Sequence, residues 1–219
     1  MKIQLSHSGY FYSFENMVSV GNLLRAWRDF SHGKENKKDV QQFRRYLMRN
    51  ILSLREDLRN GTYQHGPYVE FKINDPKPRT IHKAMVRDRL AHHAMERILY
   101  PFFNRTFIAD SFSSRKEKGV HGALHRFRKY TRMVSCNNAR TCWVLKCDIK
   151  KFFASIDQKI LKNILEEYIS DNRIRYLLYE VINSFYSREL GKGLPLGNLT
   201  SQLFSNIYLN KFDQFVKHS

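Results

Sequence analysis

Between Trp143 and Asp157 the chain reads Trp-Val-Leu-Lys-Cys-Asp-Ile-Lys-Lys-Phe-Phe-Ala-Ser-Ile-Asp, a short apolar run that breaks abruptly into charge. Its β-branched and aromatic members have the composition of a buried strand. Asp148 stands at the break. A carboxylate at the end of such a strand is held in a fixed direction by the sheet beneath it, as a metal ligand must be. The same residue could instead cap the helix that follows, and this stretch alone leaves both readings open.

At 219 residues the chain can bury a sizeable core in one or two domains. Lys and Arg number 38 against 20 Asp and Glu, a formal net charge of +18 that suits a polyanionic partner. Aromatic residues make up 14% of the chain, so flat side chains able to stack on bases accompany the positive field. Nucleic acid fits that combination better than a membrane surface does. No apolar segment approaches the roughly 20 residues needed to span a bilayer, and the N-terminus lacks a signal-peptide apolar region. A cytoplasmic location without a membrane partner is therefore expected. Cys136, Cys142 and Cys147 show no Cys-x-x-Cys spacing, which indicates neither a disulfide framework nor a structural zinc site. His121 and His125 could share a helix face, but no third metal ligand is apparent near them.

Residues 1–20 show no clear period. From Asp39, Val40, Phe43, Leu47, Ile51, Leu54 and Leu58 recur every three or four residues, which predicts one amphipathic helix ended by Gly61. Its other face carries Arg44, Arg45, Arg49, Arg55 and Arg59, a solvated face or a track for a nucleic-acid backbone. Tyr68 to Ile73 alternates polar and apolar residues before the turn signal Asn74-Asp75-Pro76, which predicts a hairpin bearing Lys72 on one arm and Lys77 and Arg79 on the other. Helices are expected over 88–103, over 120–132 and after Asp157 as N-cap, with a further one over 174–186. Asn137 to Arg140 reads as a polar turn. The glycine-rich loop Gly191 to Asn198 then opens a last helix, capped by Thr200 or Ser201 and ending near Asp213. Mixed strands and helices in this order place the chain in the α+β class.

A basic hairpin, a strand ending in Asp with an aromatic five residues on, and a Gly-Pro-Gly loop opening a helix form an ordered set. That set resembles the reverse transcriptases from about Asn22 onward, above all those of group II introns, retrons and diversity-generating retroelements. The resemblance implies the fingers and partial palm of a right-hand polymerase. Residues 1–60 would form an N-terminal helical extension, 61–91 and 160–192 the fingers, and 92–159 and 193–219 the palm portion, with no thumb. It implies an RNA-directed DNA polymerase that takes an RNA template, a DNA or RNA primer, deoxynucleoside triphosphates and Mg²⁺. A small accessory protein is a further candidate partner.

Residue by residue, Lys72 and Arg79, seven positions apart, resemble the fingers pair that grips the triphosphate. Asp88-Arg89 resembles the pair that opens the next helix. Ser111, Arg115, Gly119 and His121 match the segment beside the template backbone, and Arg126, Ser201 and Gln202 join that template and primer set. Asp148 resembles the first catalytic aspartate, with the Ile149 carbonyl as a further Mg²⁺ ligand. Phe153 resembles the steric gate that excludes a 2′-hydroxyl, although core packing would look the same in sequence. Leu196 and Gly197 resemble the nucleotide-facing loop, in which Leu196-Gly197-Asn198-Leu199-Thr200-Ser201-Gln202 replaces the commoner Gln-Gly-x-x-x-Ser-Pro. This Leu-Gly-x-x-x-Ser-Gln form resembles the diversity-generating enzymes, which copy RNA with errors at adenines.

The family's Tyr-x-Asp-Asp run occurs nowhere in the 219 residues. One carboxylate cannot hold two Mg²⁺ ions against their mutual repulsion, so this chain alone is expected not to polymerise DNA. A retron or phage-defence enzyme and a non-catalytic nucleic-acid-binding module of the same fold are the alternatives, and apolar surface left exposed beside the palm is a further expectation.

Overall fold

The architecture is that of a computed structural model, which describes residues 13–74 and 78–219. Residues 1–12 and the Asp75-Pro76-Lys77 part of the expected hairpin turn lie outside the described residues. Two short helices open the described chain, α1 (Phe14–Met17) and α2 (Val20–Ser31). Ser13 and Ser19 cap them, each hydroxyl oxygen accepting from the backbone N–H three residues on.

The amphipathic run from Asp39 folds as two helices, α3 (Lys38–Arg45) and α4 (Leu47–Asn60), in place of the single one expected. Tyr46 leaves helical geometry between them at φ −123°, ψ 38°, and the Asn50 side chain donates to the freed Phe43 carbonyl at 2.9 Å. Val40, Ile51, Leu54 and Leu58 still share the buried side, so the periodicity survives the break. Gly61 ends α4 in the left-handed conformation at φ +69°, as expected.

Next comes the hairpin, β1 (Tyr68–Asn74) and β2 (Pro78–Ala84), antiparallel with Lys72 opposite Thr80 and Ile73 opposite Arg79. It leads directly into α5 (Val86–Asn104), the helix around which the core is assembled: Leu90, Ala91, Ala94, Met95 and Phe103 are all buried. Helix α2 lies against it, with the Asn22 amide donating to the carbonyls of Met17 and Ala94 at 2.9 and 3.0 Å. Helix α6 (Gly119–Val134) carries no buried residue.

Helices α7 (Phe152–Ser155), α8 (Gln158–Tyr168), α9 (Asn172–Asn183) and α10 (Leu199–His218) complete the order. Asp157 caps α8 as predicted, one carboxylate oxygen accepting from the N–H groups of Lys159 and Ile160. Helix α10 begins two residues earlier than a Thr200 cap allows and runs past Asp213; Thr200 and Ser201 are buried in its first turn, and Asn198 occupies the cap position.

The largest departure is Trp143 to Ile149. It forms no strand, and Trp143 and Leu145 are 94% and 89% exposed. A strand needs a ladder partner for its N–H and C=O groups, and among the described residues the only sheet is β1 with β2. The apolar composition was read correctly, but no partner strand reaches it. Exposed Val120, Phe127, Phe212 and Phe215 on α6 and α10 fit the expected uncovered apolar surface.

Candidate nucleotide and template site

Pleating sends alternate residues of a hairpin to opposite faces. The observed register puts Val69, Phe71, Ile73, Arg79, Ile81 and Lys83 on one face, and Tyr68, Glu70, Lys72, Thr80 and His82 on the other. The second face is anchored. Tyr68 Oη lies 2.7 Å from Ser184 Oγ and 3.2 Å from His65 Nε2, which in turn lies 3.1 Å from Nε2 of buried His92. Burial raises the Tyr68 hydroxyl pKa, so the hydroxyl stays protonated. Just before β1, the Tyr63 hydroxyl and the Gly66 N–H donate to Asp88 of α5 at 2.8 and 3.2 Å, which ties the approach to the strand to that helix.

The glycine-rich loop meets the hairpin at His82. Its N–H donates to the Leu196 carbonyl at 3.0 Å, and its carbonyl accepts from the Asn198 side chain at 2.8 Å. Gly197 sits between these two bonds at φ +103°, and a Cβ there would stand 2.7 Å from Ile81 Cγ2. Glycine is required by both the backbone angle and the close approach.

Above this junction the first hairpin face closes a hollow of about 350 Å³ with α2, α5 and the start of α10. Phe30, Phe71, Ile81 and Leu199 supply its apolar walls; Lys34, Lys83, Arg89, His93, Asn198 and Gln202 supply the polar groups. Arg89 lies over the Phe30 ring at 4.8 Å and donates to Asp39 at 2.6 Å, while its Nε is buried without a partner. Asp39 also pairs with Lys83 at 2.7 Å. Burial works against the Asp39 charge, but the bonds to Lys83 and Arg89 outweigh it and lower its pKa. Burial, reinforced by Lys34, pulls the His93 pKa down to about 4, so its ring is neutral at pH 7. Aromatic walls with cations at the rim suit a base carrying a phosphate.

The expected site residues are only partly gathered here. Gly197 and Gln202 line the hollow, and Leu196 is half-buried beside them. Phe153 is half-buried on α7, and its carbonyl accepts from the Leu194 N–H at 2.8 Å, which ties it to the same glycine-rich loop. Arg79 shares the face that closes the hollow, whereas Lys72 stands on the opposite one. Asp148 and Ile149 lie on the exposed segment.

Arg115 is committed to folding. Its guanidinium donates to the carbonyls of Ile108 and Ser111 at 2.8 and 2.9 Å and to the Asn104 side chain at 2.9 Å, so its donors serve the turn after α5. Arg126 pairs with Asp110, and Ser201 is buried away from any surface. Gly119 starts α6 at φ +67°, and His121 is exposed two residues on. Among the described residues no three His, Cys, Asp or Glu side chains come together as a metal site. The described residues therefore gather no carboxylate set for a two-metal centre, and no chemical step follows through one.

Phe30, Lys34, Phe71, Lys83 and His93 were not among the site residues expected from sequence. The hairpin pattern itself could have found Phe71 and Lys83, because both share the face of Arg79. Phe30, Lys34 and His93 come from elements that only the fold brings together.

Residues 72–219 match the family model described as reverse transcriptase (RNA-dependent DNA polymerase). Protein YkfC of Escherichia coli (strain K12) is 30% identical over 170 residues, covering 74% of this chain and 44% of that protein. The group II intron-encoded protein LtrA of Lactococcus lactis subsp. cremoris is 28% identical over 174 residues, covering 76% of this chain and 28% of that protein. The chain thus spans less than half the length of these relatives. A solved partial Cas6-RT-Cas1–Cas2 complex shares the fold with a TM-score of 0.62 at 19% identity, over 98% of this chain and 39% of that one. With a family match over residues 72–219, the chain belongs to the reverse transcriptase (RNA-dependent DNA polymerase) family.

Proposed function

We propose that the described residues form the substrate-side half of an RNA-directed DNA polymerase site, which positions an RNA template and an incoming deoxynucleotide. The observation that carries this reading is the junction at His82, where the Gly197 turn is bonded to the hairpin beside an aromatic and cationic hollow. The hollow takes a template base and its phosphate. Arg79 meets the nucleotide's phosphates from the same face, and Lys72 reaches them around the hairpin edge. Phe153 limits the space under the sugar. Asp148 and the Ile149 carbonyl contribute to an Mg²⁺ site whose other carboxylates are not among the 219 residues, so this chain alone binds substrate without polymerising it.

Two measurements test the reading. Fluorescence anisotropy with a labelled RNA template–primer is expected to show binding that Phe71→Ala weakens several-fold; absence of binding would overturn it. Primer extension with Mg²⁺ and deoxynucleotides is expected to give no product, and robust Asp148-dependent synthesis would refute the half-site.

The relatives point to intron-encoded enzymes, and the diversity-generating subtype rests on Leu196 and Gln202 alone. An apolar side chain at Leu196 gives up a hydrogen bond near the nascent pair and loosens geometric checking there. In a polymerising form of the enzyme, Leu196→Gln is then expected to lower misincorporation opposite template adenine. An unchanged error spectrum would remove the subtype while leaving the family intact.

A further inference from the structure

The hollow beside Gly197 does not end at Lys83. Along the same hairpin face a second hollow, of about 570 Å³, opens between the start of α3 and the base of the hairpin. Its floor includes Phe43, Val69 and Met85, and Val69 and Met85 are both about half exposed. Lys37 and Lys38 stand at its rim, exposed and with no carboxylate partner among the described residues. Lys83 lines both hollows.

Between the two hollows sits Asp39. Its carboxylate takes up Lys83 at 2.7 Å and Arg89 at 2.6 Å, so two cations that face the track share one anion. Asp39 is itself over a third exposed, and the Arg89 Nε beside it has no partner. A carboxylate held by a lysine and an arginine at the surface occupies the place a phosphodiester would take. Apolar floor, free lysines and an exchangeable anion together describe a path for a single strand, whose bases rest on the floor while its phosphates follow the rim.

We propose that the second hollow is a binding site for single-stranded polynucleotide, continuous with the first through Lys83, and that Asp39 is a counter-ion which an incoming phosphate displaces. The proposal rests on the template-binding reading of the first hollow, and it extends the strand's path onto helix α3, outside residues 72–219 that match the family model. Asp39 would then hold Lys83 and Arg89 in place while the track is empty and release them when a strand arrives.

The test is equilibrium binding of labelled oligo(U) and oligo(dU), each long enough to span both hollows, across a range of KCl concentrations. Each lost phosphate contact lowers the slope of log K against log salt by about 0.7 for single strands, so Lys37→Ala with Lys38→Ala should lower it by about 1.4. Lys159→Ala with Arg25→Ala removes the same charge from elsewhere and should lower it less. Asp39→Asn frees Lys83 and Arg89, and should tighten binding and steepen the slope. Both oligomers should respond alike, because phosphates are common to them.

A double lysine variant with the slope of the charge-matched control overturns the second hollow. So does a folded Asp39→Asn protein that binds no tighter than the wild type, or an effect confined to one sugar. If the wild-type chain holds neither oligomer at low salt, the template-binding reading itself falls and takes this proposal with it. Binding that survives with an unchanged slope removes the second hollow alone.

Discussion

Leu196–Asn198 and Trp143–Ile149 are both short segments outside helix and strand, and they differ in what holds them. The first is fastened to β2 by a backbone bond, a side-chain bond and an approach so close that only glycine fits. The second carries more apolar surface but has no ladder partner among the described residues, and its Trp143 and Leu145 are exposed. Apolar composition alone therefore did not place a segment. Satisfied backbone polar groups did, because an extended segment gains little from burial until its N–H and C=O groups are paired.

The largest expected effect comes from breaking the fastened segment. Gly197→Ala adds a Cβ 2.7 Å from Ile81 Cγ2 at φ +103°, and should destabilise the chain by roughly 3 kcal/mol through strain and overlap together. Gly61 is the internal reference, because it has φ +69° with nothing within 4 Å of its missing Cβ. Gly61→Ala should cost only about 1 kcal/mol, the backbone part alone. The difference between the two, read from urea unfolding, measures the contact with Ile81. Equal losses would show that the loop lifts away from β2 without resistance.

A smaller effect separates the two regions by pH. Buried His92 and half-buried His93 lie on α5 beneath the fastened region, and desolvation holds both pKa values below the ordinary 6.5, that of His93 at about 4. Below pH 6.5 the unfolded chain takes up protons at these positions that the folded chain refuses, so stability falls as pH falls. For His93 the loss develops between pH 6.5 and about 4, with a limiting slope of about 1.4 kcal/mol per pH unit. His93→Gln should flatten the unfolding free energy over that window. A slope unchanged by the substitution would mean that His93 meets water in the folded chain.

Much of this was legible in sequence because it is local. Three-and-four periodicity found α4, α8 and α9, Gly61 and Asp157 marked a helix end and a helix start, and alternation with a turn signal found the hairpin. The joint at Tyr46 was not legible, since no Pro or Gly marks it and the apolar stripe passes through unbroken. Residue spacing paired Lys72 with Arg79, but the register separates them by one position and so by one face. The hollow was hidden for a different reason. Phe30, Phe71, His93 and Gln202 come from four elements, and their meeting depends on long-range packing that no local pattern encodes. Trp143 to Leu145 was misread because a strand is defined by its partner as much as by its own composition.

The smallest expected effects concern the open segment. Trp143→Ser with Leu145→Ser should change stability by no more than about 0.5 kcal/mol, as substitutions at exposed positions do. Fluorescence gives the sharper test, because the chain has two tryptophans in opposite settings, Trp27 at 8% exposure and Trp143 at 94%. Acrylamide should quench half of the tryptophan population efficiently, and Trp143→Phe should remove that component and leave the protected Trp27. If Trp143 proves shielded at low protein concentration, the segment has found a partner within the chain. If it becomes shielded only as concentration rises, the partner is a second copy meeting the same uncovered apolar surface. Either result would show that what separates this segment from Leu196–Asn198 is the availability of a partner, because the tendency to pack is already present in its residues.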